Sequence, residues 1–180
     1  NGKKSTLSQV TYSATGVTER IYTLTYGSDG ATPLAGSDYY YVNGTKNKWI
    51  YQTFDEAGKT TRYYTVLYHT NGTTVVSSAD TRYANGIRTI YYYLTYDTAG
   101  VMTRNYTATY HADGNQIKTY SNYLYASGKK TTLTQVSYGA AGVLERAYYL
   151  TYQPDGVTTK ITNDYQYTAG IKKSWYQKTY

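Results

Sequence analysis

An arginine followed two residues later by a tyrosine recurs four times along this chain, at intervals of forty-two residues. The pairs are Arg20 with Tyr22, Arg62 with Tyr64, Arg104 with Tyr106, and Arg146 with Tyr148. A guanidinium group binds carboxylates and phosphates, and it also stacks on aromatic rings. The recurrence therefore indicates either stabilisation of neighbouring strands or a track of rings and cations that binds a sugar polymer or a polyanion. We favour stabilisation, at about 0.5–1 kcal/mol for each exposed cation–π contact.

Two tryptophans extend this candidate contact surface. Trp49 and Trp175 stand 126 residues apart, and residues 2–12 resemble residues 128–138 at the same distance. Distant copies are thus more alike than neighbouring ones, which indicates that three forty-two-residue repeats form a duplicated block. We expect the chain to sample a longer tandem array.

The remaining titratable residues form no catalytic or metal-binding pattern. His69 and His111 follow equivalent tyrosines, but Gly27 and Gln153 fill the same position in the other copies. A metal ligand would not be replaced in this way, so we predict that both histidines are turn residues. The acids recur with the repeat, whereas general acid–base catalysis needs one site with specially tuned pKa values. We therefore predict no enzymatic activity, no cofactor and no metal.

Composition restricts the class of protein further. The chain has 180 residues, 28 of them tyrosine, no cysteine, and a net charge of +7. Tyrosine favours strands and tolerates water at its hydroxyl, so we expect an ordered chain with a thin core. The basic residues are dispersed, which argues against a dedicated nucleic-acid site. No apolar run approaches the ~20 residues that span a bilayer, and the sequence starts at Asn1, as in a mature product or a segment of a longer chain.

Glycines at a period of fourteen residues define the elements that must position these side chains. They are Gly2, Gly16, Gly30, Gly44, Gly58, Gly72, Gly86, Gly100, Gly114, Gly128, Gly142, Gly156 and Gly170. Asn-Gly and Asp-Gly pairs in this series are typical of hairpin turns. The intervening segments of ~10 residues alternate in tyrosine, threonine and aliphatic residues with the period of a strand.

Three kinds of fourteen-residue unit make up the forty-two-residue repeat. The third unit carries an acid or amide at Asp38, Asp80, Asn122 and Asp164, and its last tyrosine lies one residue nearer the next glycine. Since a one-residue shift exchanges the faces of a strand, we predict a different, shorter hairpin there. The repeats are 2–43, 44–85, 86–127 and 128–169, with a partial repeat at 170–180. We assign all of 1–180 to one array.

This pattern predicts an all-β fold, an antiparallel meander of about thirteen hairpin-linked strands. The alternative is a three-sided β-solenoid, in which the four arginines would stack into one ladder. The meander is favoured because the turn sequences reverse the chain rather than round a corner.

Residues 94–100 read Leu-Thr-Tyr-Asp-Thr-Ala-Gly, and with the pair Tyr96-Asp97 this segment resembles the tyrosine–aspartate (YD) repeats of large bacterial surface and toxin-shell proteins. The resemblance implies an extracellular β-sheet scaffold and contact with sugars or surfaces. We expect a structural segment of a secreted or surface-displayed bacterial protein: a fibre, stalk, sheath or adhesin shaft, whose end strands pair with another copy. The alternative is a glycan-binding module in which Trp49, Trp175 and the repeated tyrosines are stacking platforms.

Overall fold

A computed structural model describes residues 2–180, and these residues form thirteen strands and no helix. The strands are β1 Thr6–Tyr12, β2 Thr18–Tyr26, β3 Pro33–Val42, β4 Thr45–Phe54, β5 Thr60–Tyr68, β6 Val75–Ala84, β7 Ile87–Tyr96, β8 Met102–Tyr110, β9 Ile117–Ala126, β10 Lys129–Tyr138, β11 Leu144–Tyr152, β12 Thr159–Thr168 and β13 Ile171–Thr179. In the part of the chain that is described, no helix is long and apolar enough to cross a membrane.

The predicted meander is confirmed. The strands follow chain order from β1 to β13, and the pairings within β1–β6 and within β7–β13 are antiparallel. The solenoid alternative is wrong, because within each of the two groups each strand pairs with the strand that follows it in sequence and not with an equivalent strand one repeat away. Contacts divide the chain into two compact units, the first ending at Gly86 and the second spanning Ile87–Tyr180.

Three kinds of turn alternate along the chain. The shortest has two residues, as at Asn43 and Gly44, whose φ values are 50° and 76°. Positive φ at both positions defines the type I′ turn, which matches the twist of a hairpin. This is the shorter turn predicted after the third unit. The others have five residues, as after β4, or six, as after β5, each closed by a backbone hydrogen bond from its first residue to its last.

Successive repeats present opposite faces of the sheet within each unit. Tyr22 pairs with Asp38, Asp38 with Ile50, and Ile50 with Thr65, so these four side chains share a face. Arg20 lies two residues before Tyr22 and joins them. Arg62 lies three residues before Thr65, an odd number, and therefore projects from the other face. Equivalent residues forty-two positions apart therefore project from opposite faces of the sheet, because the register of the strand pairing places them there.

The same inversion holds in the second unit. Tyr106 pairs with Asn122, Asn122 with Thr134, and Thr134 with Tyr149. Tyr148 is the immediate neighbour of Tyr149 along β11, so it and Arg146 project from the face opposite to Tyr106.

A row of small residues between tyrosine rings forms the thin core. In the second unit one row crosses the sheet in register, through Tyr91, Ala108, Tyr120, Val136, Ala147, Tyr165 and Trp175. Ala108, Val136 and Ala147 are buried, at 0, 6 and 3% exposure, whereas the flanking rings are only partly covered or exposed. A single sheet has no second layer to cover its aliphatic side chains, so large rings on adjacent strands provide the cover.

Candidate functional site

Each recurrent arginine is hydrogen-bonded to the acid or amide of the third unit on the adjacent strand. Arg20 donates from Nε and Nη2 to the two carboxylate oxygens of Asp38 at 2.8 and 2.7 Å. Arg62 and Arg146 form the same bidentate bridge with their partners at 2.8–2.9 Å. The partners are Asp80 and Asp164. Such fork-shaped pairing adds geometric specificity to charge attraction.

In the second unit, one of these bridges has an uncharged acceptor in place of the carboxylate. Arg104 donates from Nε to the amide oxygen of Asn122 at 2.7 Å. The position that elsewhere holds a carboxylate therefore retains one hydrogen bond but lacks the ionic component.

The guanidinium groups also lie against the tyrosines predicted to stack with them. The carbon Cζ is 5.4 Å from the ring centre of Tyr22 in the first copy, and 5.1–5.2 Å from the equivalent rings in the others. Tyr40 adds a further contact in the first copy, because its hydroxyl donates to Asp38 Oδ2 at 2.8 Å. The structure thus contains the stacking on which the structural interpretation rests.

These bridges change the protonation equilibria of their members. The hydrogen bond from Arg146 lowers the pKa of Asp164, and the hydrogen bond to Asp38 raises the pKa of Tyr40. The carboxylates are well covered, at 12% side-chain exposure for Asp38, while Arg20 keeps 44% of its side chain in contact with solvent. The largely buried carboxylate and the exposed guanidinium group together link two neighbouring strands.

The structure does not bring the predicted contact residues onto one surface. In the first unit, Arg20 and Tyr22 project from one face, and Trp49, Arg62 and Tyr64 project from the other. In the second unit, Arg104, Tyr106 and Trp175 share a face. Arg146 and Tyr148 lie on the opposite one. Neither unit therefore brings its five predicted contact residues together on one face.

The tryptophans belong to aromatic clusters. Trp49 stacks on Tyr39 at 5.7 Å, meets Tyr64 edge-on at 5.5 Å, and donates from Nε1 to Ser37 Oγ at 2.8 Å. Trp175 stacks on Tyr165 at 6.2 Å and is 54% exposed. Of the two tryptophans, Trp175 is the more exposed.

A second series of cations was missed by the sequence interpretation. Lys46 lies over Tyr68 at 4.2 Å, and Arg88 lies over Tyr110 at 4.0 Å. The signal was present, because every first unit has a basic residue two places after its glycine: Lys4, Lys46, Arg88, Lys130 and Lys172. The arginine–carboxylate bridges were also missed, although the partners keep a constant spacing of eighteen residues.

The six-residue loops fold back closely on the start of the first strand of their repeat. A Cβ on Gly114 would lie 2.7 Å from Ile87 Cγ2 and 3.0 Å from the amide nitrogen of Arg88. Gly156 makes the same approach to Lys129 and Lys130, at 2.8 and 2.9 Å. Glycine is required at these positions both for its positive φ and for this contact. The packing leaves a concavity beside each of two such loops, one in each unit.

The histidines lie where the sequence predicted them, at the first position of six-residue loops. His111 Nε2 is 3.1 Å from the carbonyl oxygen of Tyr138, and the buried Nε2 of His69 has no hydrogen-bond partner. Among residues 2–180, no group of three or more histidine, cysteine or acidic side chains could hold a metal ion.

Comparisons with known proteins place the chain in no family. No protein family and no curated protein matches the sequence. Among solved structures, a protein of unknown function from Bacteroides fragilis aligns with 87% of this chain and 96% of its own, at 12% identity and a TM-score of 0.19. A score of that size does not relate the two folds.

Proposed function

We propose that this chain is a structural repeat segment of a secreted or surface-displayed bacterial protein, as part of a fibre, stalk, sheath or adhesin shaft, and that it has no catalytic role. The observation that carries this proposal is the arginine bridge. Each copy commits its guanidinium group to the adjacent strand and to a ring on its own strand. Side chains used in this way in every repeat support cohesion that adds from repeat to repeat.

The proposed mechanism is that each arginine bridge links two neighbouring strands, and that the stabilising contributions of the bridges add from repeat to repeat. Each bridge links the second and third strands of a repeat at a point two residues from the direct pairing partner. Shearing these strands past one another must break the backbone hydrogen bonds between them and the arginine bridge at the same time. Exposed pairs contribute about 0–1 kcal/mol each, so the resistance comes from repetition rather than from any single pair.

Force spectroscopy on single molecules tests the structural role. We expect Asp80→Asn to lower the unfolding force of the first unit and to leave that of the second unchanged. Asp55→Asn is a matched control, because Asp55 is a partly exposed loop residue whose carboxylate accepts hydrogen bonds from the Ala57 and Lys59 amides and not from an arginine. Equal forces for all three chains would contradict the proposal. Immunogold labelling of unpermeabilised source cells tests the location, and labelling only after permeabilisation would contradict it.

We also propose self-association through the end strands. β1 pairs with β2 and β13 pairs with β12, and every residue of β1 and β13 is exposed. Strands with an unpaired side recruit further strands, although Lys172, Lys173 and Lys178 on β13 weaken that tendency through their charge. Sedimentation velocity and electron microscopy should therefore show concentration-dependent filaments that shorten at low ionic strength. A monomer at every concentration and salt level would contradict this proposal.

A glycan-binding role is the second candidate, and a groove in the second unit favours it. The groove has a volume of about 270 Å³, and the residues that line it include the polar Ser121, Gln135 and Ser137 together with Arg146 and Tyr148. Hydroxyl and amide groups beside an aromatic ring suit a sugar.

A repeat-guided substitution tests this groove. In the first unit Tyr51 occupies the position of Gln135, so Gln135→Tyr should fill the groove without disturbing the fold. Gln177→Tyr is the matched control on β13. Loss of retention on cell-wall polysaccharide columns by Gln135→Tyr alone would support the role, and no retention of the native chain would contradict it.

A further inference from the structure

The second unit has a basic concavity that the structural role does not use. It lies where the turn between β9 and β10 meets the six-residue loop between β11 and β12, and its volume is about 450 Å³. Ala126, Tyr152 and Pro154 supply apolar surface. Lys129, Lys130 and Lys160 line it as well, and no acidic side chain is among the described residues that line it.

The repeat creates this concavity, and the local sequence gives it charge. The equivalent positions of the first unit line a smaller concavity of about 220 Å³, in which Lys46 is the lysine. Thr45, which lines it, is equivalent to Lys129 by sequence position, and Val76 is equivalent to Lys160. The backbone arrangement is therefore common to both units, whereas the cluster of three lysines belongs to the second.

The three ammonium groups are available to a ligand. None of them forms an ion pair with any residue in the described part of the chain. Lys130 is held over the rings of Tyr123 and Tyr152, at 5.1 and 6.0 Å from their centres, so its position is fixed beforehand. A ligand that meets a pre-positioned cation loses less conformational entropy on binding.

The nearest acid leaves the concavity with net positive charge. Asp155 lies in the adjoining loop and interacts with Lys129 electrostatically. Its carboxylate is occupied within the loop, where it accepts hydrogen bonds from Thr158 Oγ1 at 2.5 Å and from the Val157 and Thr158 amides at 2.9 Å. One partly engaged anion opposes three cations. A space of this volume is roughly 10 Å across, so a ligand at its centre lies about 5 Å from the wall, within the Debye length of about 8 Å.

We propose that this concavity binds a multivalent oxyanion, a group of two or more phosphates or carboxylates, in contact with Lys129, Lys130 and Lys160. Ammonium groups bind such anions as point charges, without the planar geometry that arginine imposes. The site lies apart from the arginine bridges, so it adds a binding activity to the scaffold rather than restating it.

Titration calorimetry with the full chain tests the proposal, using inorganic tripolyphosphate as the first probe and citrate as the second. We expect tripolyphosphate to bind at low ionic strength and to weaken as salt is added. Lys160→Leu and Lys129→Thr should each weaken binding roughly tenfold, as for the loss of one charge-assisted contact. Both changes copy residues at equivalent positions of other repeats, Leu34 for Lys160 at a distance of 126 residues and Thr45 for Lys129, and so suit the fold.

Lys118→Leu is the matched control. Lys118 is exposed and occupies the position of Lys160 one repeat earlier, at the opposite end of the strands, so the change in net charge is the same. Binding that survives in this variant and falls in Lys160→Leu supports the site. Citrate binding of similar strength assigns a general oxyanion site, and its absence assigns a phosphate site. No binding of tripolyphosphate, or an equal loss in Lys118→Leu, would overturn the proposal.

Discussion

Replacement of Gly114 by alanine should destabilise the second unit far more than replacement of Gly142. Both glycines have positive φ, +70° and +72°, so either alanine costs about 1–2 kcal/mol in backbone conformation. At Gly142 the added methyl group meets only the flexible end of Gln116, at 3.7 Å. At Gly114 it would lie 2.7 Å from Ile87 and 3.0 Å from the backbone of Arg88. Backbone in a paired strand cannot move aside without loss of its ladder, so we expect a further ~1–3 kcal/mol.

Urea denaturation followed by tryptophan fluorescence measures this difference. In a Trp49→Phe background, Trp175 becomes the sole tryptophan and reports on the second unit. The expected loss in free energy of unfolding is about 2–5 kcal/mol for Gly114→Ala and about 1–2 kcal/mol for Gly142→Ala. Equal losses would show that φ alone demands glycine and would refute the close-packing argument. A larger loss at Gly142 would refute it as well.

Three further predictions concern the charged and aromatic side chains. Asn122→Asp should restore the missing ionic bridge to Arg104 and raise the free energy of unfolding by about 0.5–1 kcal/mol, an effect that high salt reduces in urea titrations. Asp164→Asn should destabilise the second unit at neutral pH. Because the wild-type pKa is lowered from 3.8, the carboxylate stabilises the fold above that value, and the difference between variant and wild type should vanish as the pH falls through 3.8 and below the lowered pKa. Burial raises the pKa of Tyr106, so its neutral form stabilises the fold below pH 10 and this contribution is lost as the pH rises further. Alkaline titration followed by circular dichroism should therefore find Tyr106→Phe more resistant than the exposed-site control Tyr176→Phe, and equal midpoints would contradict the burial argument.

Periodicity alone was sufficient to predict the strands and the turns. Glycine at a fourteen-residue spacing reports a local conformation, positive φ, and local conformation can be derived from sequence. The predicted shorter turn after the third unit appears at Asn43 and Gly44 for the same reason. The contacts between strands were harder to predict, because they depend on register. Arg20 reaches Asp38 because Tyr22, two residues from Arg20 on the same strand, pairs directly with that aspartate. Once register is known, the constant eighteen-residue spacing identifies the bridge in every copy.

The alternation of faces weighs most in the choice between scaffold and binding surface. A ligand that recognised the arginine–tyrosine pair would meet it on one face at Arg20 and on the other at Arg62. A flat partner could then engage only one of these two copies in the first unit, and avidity from the repeat would be lost. An arginine bridge between adjacent strands stabilises the sheet equally from either face, because both of its partners belong to the same sheet. Because the pairs alternate between faces, a flat ligand gains no avidity from the repeat, whereas the stabilisation from the bridges still adds from copy to copy. A site on this protein should instead depend on residues that differ between copies, as Lys129 and Lys160 do.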